Sequence, residues 1–140
     1  MKNKKVLFID DNEQDLFMYG QMMKSLGYEV LLINYLEFSI DKIFKFNPNI
    51  IFLDFFLGND KTGIDLLKEI RKAGYLGKIC MLSGEDNSKI IERSIRAGAD
   101  DYHVKPIYSS TINNVIERST DFVKKSAIEK IAANLYNIVI

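Results

Sequence analysis

The chain has 140 residues, 47% of them hydrophobic, and its 19 basic side chains balance 19 acidic ones. This length supports one compact domain with a proper core, and the charge balance excludes a general attraction to nucleic acid or an anionic membrane. The lone cysteine, Cys80, excludes a disulfide framework and fits a reducing, cytoplasmic setting with a buried structural thiol.

The first apolar run, Val6 to Ile9, follows a basic N-terminus but is cut off by Asp10 and Asp11, too early for a signal sequence; no stretch reaches membrane-spanning length. It reads as a strand. A helix follows, with Asn12 as cap, Glu13 and Asp15 in its first turn, Leu16, Tyr19, Met22, Met23 and Leu26 as its apolar residues, and Gly27 as terminator. Val30 to Ile33 is the second strand. The second helix is expected to place Leu36, Ile40, Ile43 and Phe44 on one face before Asn47-Pro48 stops it. Ile50 to Leu53 is the third strand, and the third helix begins at Thr62, with Asp65 placed for a capping box and Ile64, Leu67 and Ile70 as its apolar face. Ile79 to Leu82 precedes a fourth helix carrying Ile90, Ile91 and Ile95 and ending at Gly98. A weaker run, Tyr102 to Val104, leads to Pro106 and a fifth helix with Ile112, Val115, Ile116 and Val123, for which Ser109 and Ser110 are the candidate caps.

The domain is expected to span 1–123. Residues 124–140 are expected to form an amphipathic helical extension, with Ile128, Ile131, Ala132, Leu135 and Ile138 at helical spacing. This stripe could extend the fifth helix, fold back on the domain or pair with another copy. Its apolar end, Ile138 to Ile140, also suits a piece cut from a longer protein.

Strands this continuously apolar are covered on both faces, and strict strand–helix alternation implies a doubly wound α/β parallel sheet. Ligands of such sheets sit at the carboxyl ends of the strands. Those ends carry Asp10 and Asp11, Asp54, Ser83 and Lys105. Each alone is ordinary cap or turn chemistry. Together they fall on one edge of one sheet.

The ordered segments Phe8-Ile-Asp-Asp11, Ile51-Phe-Leu-Asp54, Met81-Leu-Ser-Gly84 and Asp101-Tyr-His-Val-Lys-Pro106 resemble the receiver domains of two-component response regulators, in particular the single-domain, chemotaxis-regulator type. The resemblance runs from about Lys4 to Val123. It implies a flavodoxin-like strand order 2-1-3-4-5 and a Mg²⁺ site, with Mn²⁺ as a substitute, held by Asp11, Asp54 and the backbone carbonyl of Phe56, with Asp10 acting through a water. It also implies that Asp54 is the phosphoacceptor, assisted by Lys105 and Ser83, that Ser83 and Tyr102 form the switch, and that the Lys105–Pro106 bond is cis. Its partners would be a histidine kinase or phosphotransfer protein and a downstream protein target, without nucleic acid or membrane. A homodimer through the fourth helix to fifth helix face or the tail would also fit. The only enzymology would be gain and loss of the chain's own phosphoryl group. The Mg²⁺ requirement has a physical root, because converging carboxylates repel one another unless a cation holds them. His103 receives no role.

Two positions depart from the family's usual residues. Phe56 stands where many receivers have a smaller or more polar side chain, and Glu85 places an acid two residues after Ser83. The loop Leu57 to Lys61 also lacks a proline common there. Other classes fit less well. An aspartyl-phosphate phosphohydrolase commonly has a second acid where Phe56 stands, and a flavin domain needs a Gly-, Ser- or Thr-rich loop where Asp10-Asp-Asn-Glu13 is acidic. An interaction module that never becomes phosphorylated has no need of the complete set Asp10, Asp11, Asp54, Ser83 and Lys105.

Overall fold

The computed structural model describes residues 4–58 and 60–118. Val123 and the extension at 124–140 lie outside them. The elements alternate: β1 (Lys5–Asp10), α1 (Glu13–Leu26), β2 (Glu29–Asn34), α2 (Ile40–Phe46), β3 (Ile50–Asp54), α3 (Gly63–Lys72), β4 (Lys78–Ser83), α4 (Ser88–Arg96), β5 (Asp101–Val104) and α5 (Ser109–Glu117). All neighbouring strands pair in parallel, in the order β2-β1-β3-β4-β5. This is the flavodoxin-like order.

Strand alternation divides the core in two. Val6, Phe8, Ile50, Phe52, Cys80 and Leu82 face Leu16, Tyr19 and Met23 of α1 and Ile112, Val115 and Ile116 of α5. Leu7, Ile9, Ile51, Leu53, Ile79 and Met81 face Ile43 of α2 and Ile64, Leu67 and Ile70 of α3. Because both faces are covered, β3 is buried along its whole length, and each fully buried aliphatic or aromatic side chain contributes about 1.5–3 kcal/mol. The Phe8 ring stacks on Tyr19 and Phe52 with centroids 4.6 and 4.8 Å apart. Cys80 is buried and free, and burial pushes its thiol well up from the ordinary value.

The helix ends follow local chemistry. Asn12 Oδ1 accepts from the Asp15 N–H, and Gly27 closes α1 at φ 82°, in the left-handed region that favours glycine. At α3 the Asp65 carboxylate accepts from both the N–H and the hydroxyl of Thr62 at 3.2 Å. Four helical expectations need correction. Leu36 is not on the second helix: Asn34 Oδ1 accepts from its N–H, starting a separate 3₁₀ turn at Tyr35–Glu37 that leaves Leu36 72% exposed. With α2 reduced to Ile40–Phe46, Phe44 also turns outward, and Ile43 alone is buried in that helix. In α4, Ile95 is exposed and the buried side chain is Ser94, whose hydroxyl donates to the Ile90 carbonyl at 2.9 Å. Ser109 and Ser110 lie inside α5 rather than capping it, and the cap position is Tyr108, without a side-chain bond.

Arg71, at the end of α3, organises the loops that enter the last two strands. Its guanidinium donates to the carbonyls of Tyr75, Gly77 and Gly98 and to Asp100 Oδ2, which also accepts from the Ile79 N–H. Losing charged hydrogen bonds at partly buried groups costs about 1.5–3 kcal/mol apiece, less whatever water recovers. Arg71→Met is therefore expected to lower the unfolding free energy by about 2–3 kcal/mol in urea denaturation, more than Arg96→Met, whose pair with Glu92 is exposed.

Candidate functional site

The carboxyl edge of the sheet gathers side chains from β1, β3, β4 and β5. Asp10 ends β1 and Asp54 ends β3, both buried at 2% and 7% exposure, while Asp11 beside them is open to solvent. One carboxylate oxygen from each of the three lies within 4.8 Å of the others. Lys105, just beyond β5, extends its ammonium among them: Nζ stands 3.0 Å from Asp54 Oδ1, 3.1 Å from Asp10 Oδ2 and 3.2 Å from Asp15 Oδ2. The Lys105–Pro106 peptide bond is cis, and the Lys105 N–H donates to the Ser83 carbonyl at 2.7 Å, anchoring the residue to β4.

Burial pushes the Asp54 carboxyl up to about 7, the negative charge of Asp10 adds to the rise, and Lys105 opposes it. Asp10 is raised for the same first reason, against the pull of the Asn12 N–H and Lys105. Burial pulls Lys105 down, but the charges of Asp54, Tyr19 and Asp10 outweigh it and hold the ammonium well above the ordinary lysine value. The crevice is short of positive charge. Its donors are all hard oxygens, and Asp11 leaves one side open to water, a set that fits a small divalent cation retaining part of its hydration shell. Asp10 already has both oxygens engaged, Oδ1 by the Asn12 N–H and Oδ2 by Lys105, which leaves Asp11 and Asp54 as the less committed ligands.

Ser83, the last residue of β4, is buried, and its Oγ accepts from the Glu85 N–H at 3.1 Å. The Glu85 carbonyl in turn accepts from the Tyr102 hydroxyl at 2.8 Å. Glu85 thus links Ser83 to Tyr102 through its backbone, while its side chain points to solvent. Phe56 lies in the loop after β3, half exposed, its ring edge-on to Phe55 at 4.8 Å and its backbone bridged to Thr62. His103 Nε2 sits 3.1 Å from Asp101 Oδ2.

A family model for the response regulator receiver domain matches residues 6–117. The chain belongs to this family. It is 30% identical to the chemotaxis protein CheY of Thermotoga maritima over 117 residues, covering 82% of this chain and 96% of CheY. It is also 30% identical to PhoP, the alkaline phosphatase synthesis transcriptional regulatory protein of Bacillus subtilis, over 111 residues covering 79% of this chain; it spans only 46% of that regulator's length. Among solved structures, a CheY-like response regulator receiver domain protein from Methanospirillum hungatei superposes with a TM-score of 0.75 at 26% identity, covering 91% of this chain and 99% of its own.

Two residues of this receiver's crevice escaped the sequence reading. Asp15 was legible only as a first-turn acid of α1, yet from that turn its carboxylate reaches Lys105. Gly63 opens α3 so close to β3 that a Cβ there would stand 2.5 Å from the Asp54 carbonyl oxygen and 2.6 Å from Met81 Cε. Gly63→Ala is expected to cost about 1–3 kcal/mol, because backbone rather than a flexible side chain must yield. Urea denaturation reads the cost, and the displaced Asp54 backbone would show in the amide shifts of residues 54 and 55.

Proposed function

We propose that this receiver is a phosphorelay switch that takes a phosphoryl group onto Asp54 from a histidine kinase or phosphotransfer protein in the cytoplasm. The observation that carries the reading is the ammonium of Lys105 held 3.0 Å from Asp54 Oδ1 within a crevice of three converging carboxylates. An Asp54 oxygen attacks phosphorus, the bond from phosphorus to the donor's nitrogen breaks, and the donor imidazole leaves with its electron pair. Lys105 pairs with the oxygens of the transferred group. The Ser83 oxygen already accepts a hydrogen bond, so its own O–H is the one left to donate to that group. Asp11 and Asp54, with the Phe56 carbonyl and with Asp10 through water, would hold Mg²⁺, which when bound offsets carboxylate repulsion and neutralises phosphoryl charge. The chain's only chemistry is gain and loss of its own phosphoryl group.

The switch follows from the hydrogen bonds around Glu85. If Ser83 turns to a phosphoryl oxygen, it releases the Glu85 N–H, and the Glu85 carbonyl that tethers Tyr102 shifts with it. The Tyr102 ring then repacks, changing the surface made by α4, β5 and α5 that a downstream protein target reads. Such a change is a population shift between two packings.

Incubation with acetyl phosphate and Mg²⁺ is expected to raise the intact mass by one phosphoryl group, and Asp54→Asn or chelation of Mg²⁺ is expected to abolish the gain. Unchanged mass in the wild-type chain would overturn the reading. Phe56 puts aromatic bulk two residues after the acceptor, where it would restrict attacking water, so Phe56→Asn is expected to shorten the phosphorylated lifetime several-fold, about 1 kcal/mol of barrier; mass spectra taken during decay measure it.

A further inference from the structure

In the parallel pairing of β4 and β5, Cys80 stands opposite Asp101 and Leu82 opposite His103. Residues two apart on a strand share a face. Asp101 and His103 therefore stand on the side of the sheet where Cys80 joins the core beneath α1 and α5. A thiol, a carboxylate and an imidazole meet at the outer edge of the sheet, with one donor atom from each within 4.8 Å of the others. His103 Nε2 is already 3.1 Å from Asp101 Oδ2. The Tyr102 N–H holds the other oxygen of Asp101 at 2.9 Å, orienting the carboxylate as outer hydrogen bonds orient metal ligands. Cys80 is buried at the inner end, whereas Asp101 and His103 are partly exposed. An ion would enter from the open edge of β5.

We propose that Cys80, Asp101 and His103 form a metal site separate from the aspartate crevice, one that takes a divalent transition ion of the zinc type. The donor chemistry sets the class, since thiolate and imidazole suit Zn²⁺ and Co²⁺ and are poor ligands for Mg²⁺. Ligand atoms on one tetrahedral zinc ion stand roughly 3.3–3.6 Å apart given the usual bond lengths. The His103–Asp101 pair is close to that spacing, and the thiol lies within 4.8 Å of both. On binding, the Cys80 thiol proton passes to solvent, a sulfur–metal bond forms, and water fills the fourth position. The bound ion clamps β5 to β4 on the strand that carries Tyr102. None of the crevice carboxylates takes part, so the site stands or falls independently of phosphorylation at Asp54.

Titration of the whole chain with Co²⁺, in a large excess of Mg²⁺ to saturate the crevice, tests the site. A thiolate-to-cobalt charge-transfer band in the near ultraviolet is expected to rise and saturate at equimolar metal. Cys80→Ser should abolish it. Because Cys80 lies in the core, His103→Ala at the exposed edge gives a second arm, expected to weaken Co²⁺ binding more than about tenfold while leaving the circular dichroism unchanged. No band in the wild-type chain, or a band whose affinity is unaffected by His103→Ala, would overturn the proposal.

Discussion

The arrangement at the carboxyl edge depends on one electrostatic problem, which is that Asp10, Asp11, Asp15 and Asp54 converge where, among the described residues, the Lys105 ammonium alone answers them. Charges this close repel strongly in a partly desolvated crevice. The fold accommodates the repulsion in three ways. Asp54 and Asp10 are held toward their protonated forms, Asn12 gives Asp10 a backbone N–H, and Lys105 is shared among three acids. What remains uncompensated is a standing demand for positive charge, and an incoming cation relieves it.

Much of what holds the crevice is set by elements at some distance from it. The sheet supplies rigid ends because β3 and β4 are buried throughout. Arg71 fixes the entry to β5, and through β5 the base of the Lys105 side chain. Gly63 lets α3 pack directly over Asp54. The chemistry is therefore carried by few residues, but their positions are determined by packing, turn geometry and loop hydrogen bonds on both sides of the sheet.

Much of this was legible in the amino-acid sequence, and the exceptions have physical causes. Strands read cleanly because a two-faced parallel strand is apolar at every position, as Ile50 to Leu53 is. The α1 cap and terminator were legible because Asn12 and Gly27 act locally. Leu36 misled because hydrophobic spacing cannot register a side chain such as Asn34 that starts a different turn. Ser109 and Ser110 misled because cap residues also occur inside first turns. At the site, Asp10, Asp11, Asp54, Ser83 and Lys105 were visible as strand-end residues, whereas Asp15 was hidden by its plain role near a helix N-terminus. The link through Glu85 was invisible for another reason: backbone atoms, which carry no sequence signal, make it.

The thin anchoring of α4 has a consequence for the time-dependent behaviour of the molecule. Ser94 is its one buried side chain, and that hydroxyl bonds within the helix rather than to the sheet. A helix whose apolar contact with the core rests on partly buried side chains such as Ile90 has less free energy opposing its local opening than one with a fully buried face. Its amides should exchange with solvent deuterium sooner than those of α1 or α3, through excursions that leave the rest of the domain folded. The segment beside Tyr102 is thus a part of the domain with little rigidity to overcome when its surface is remodelled.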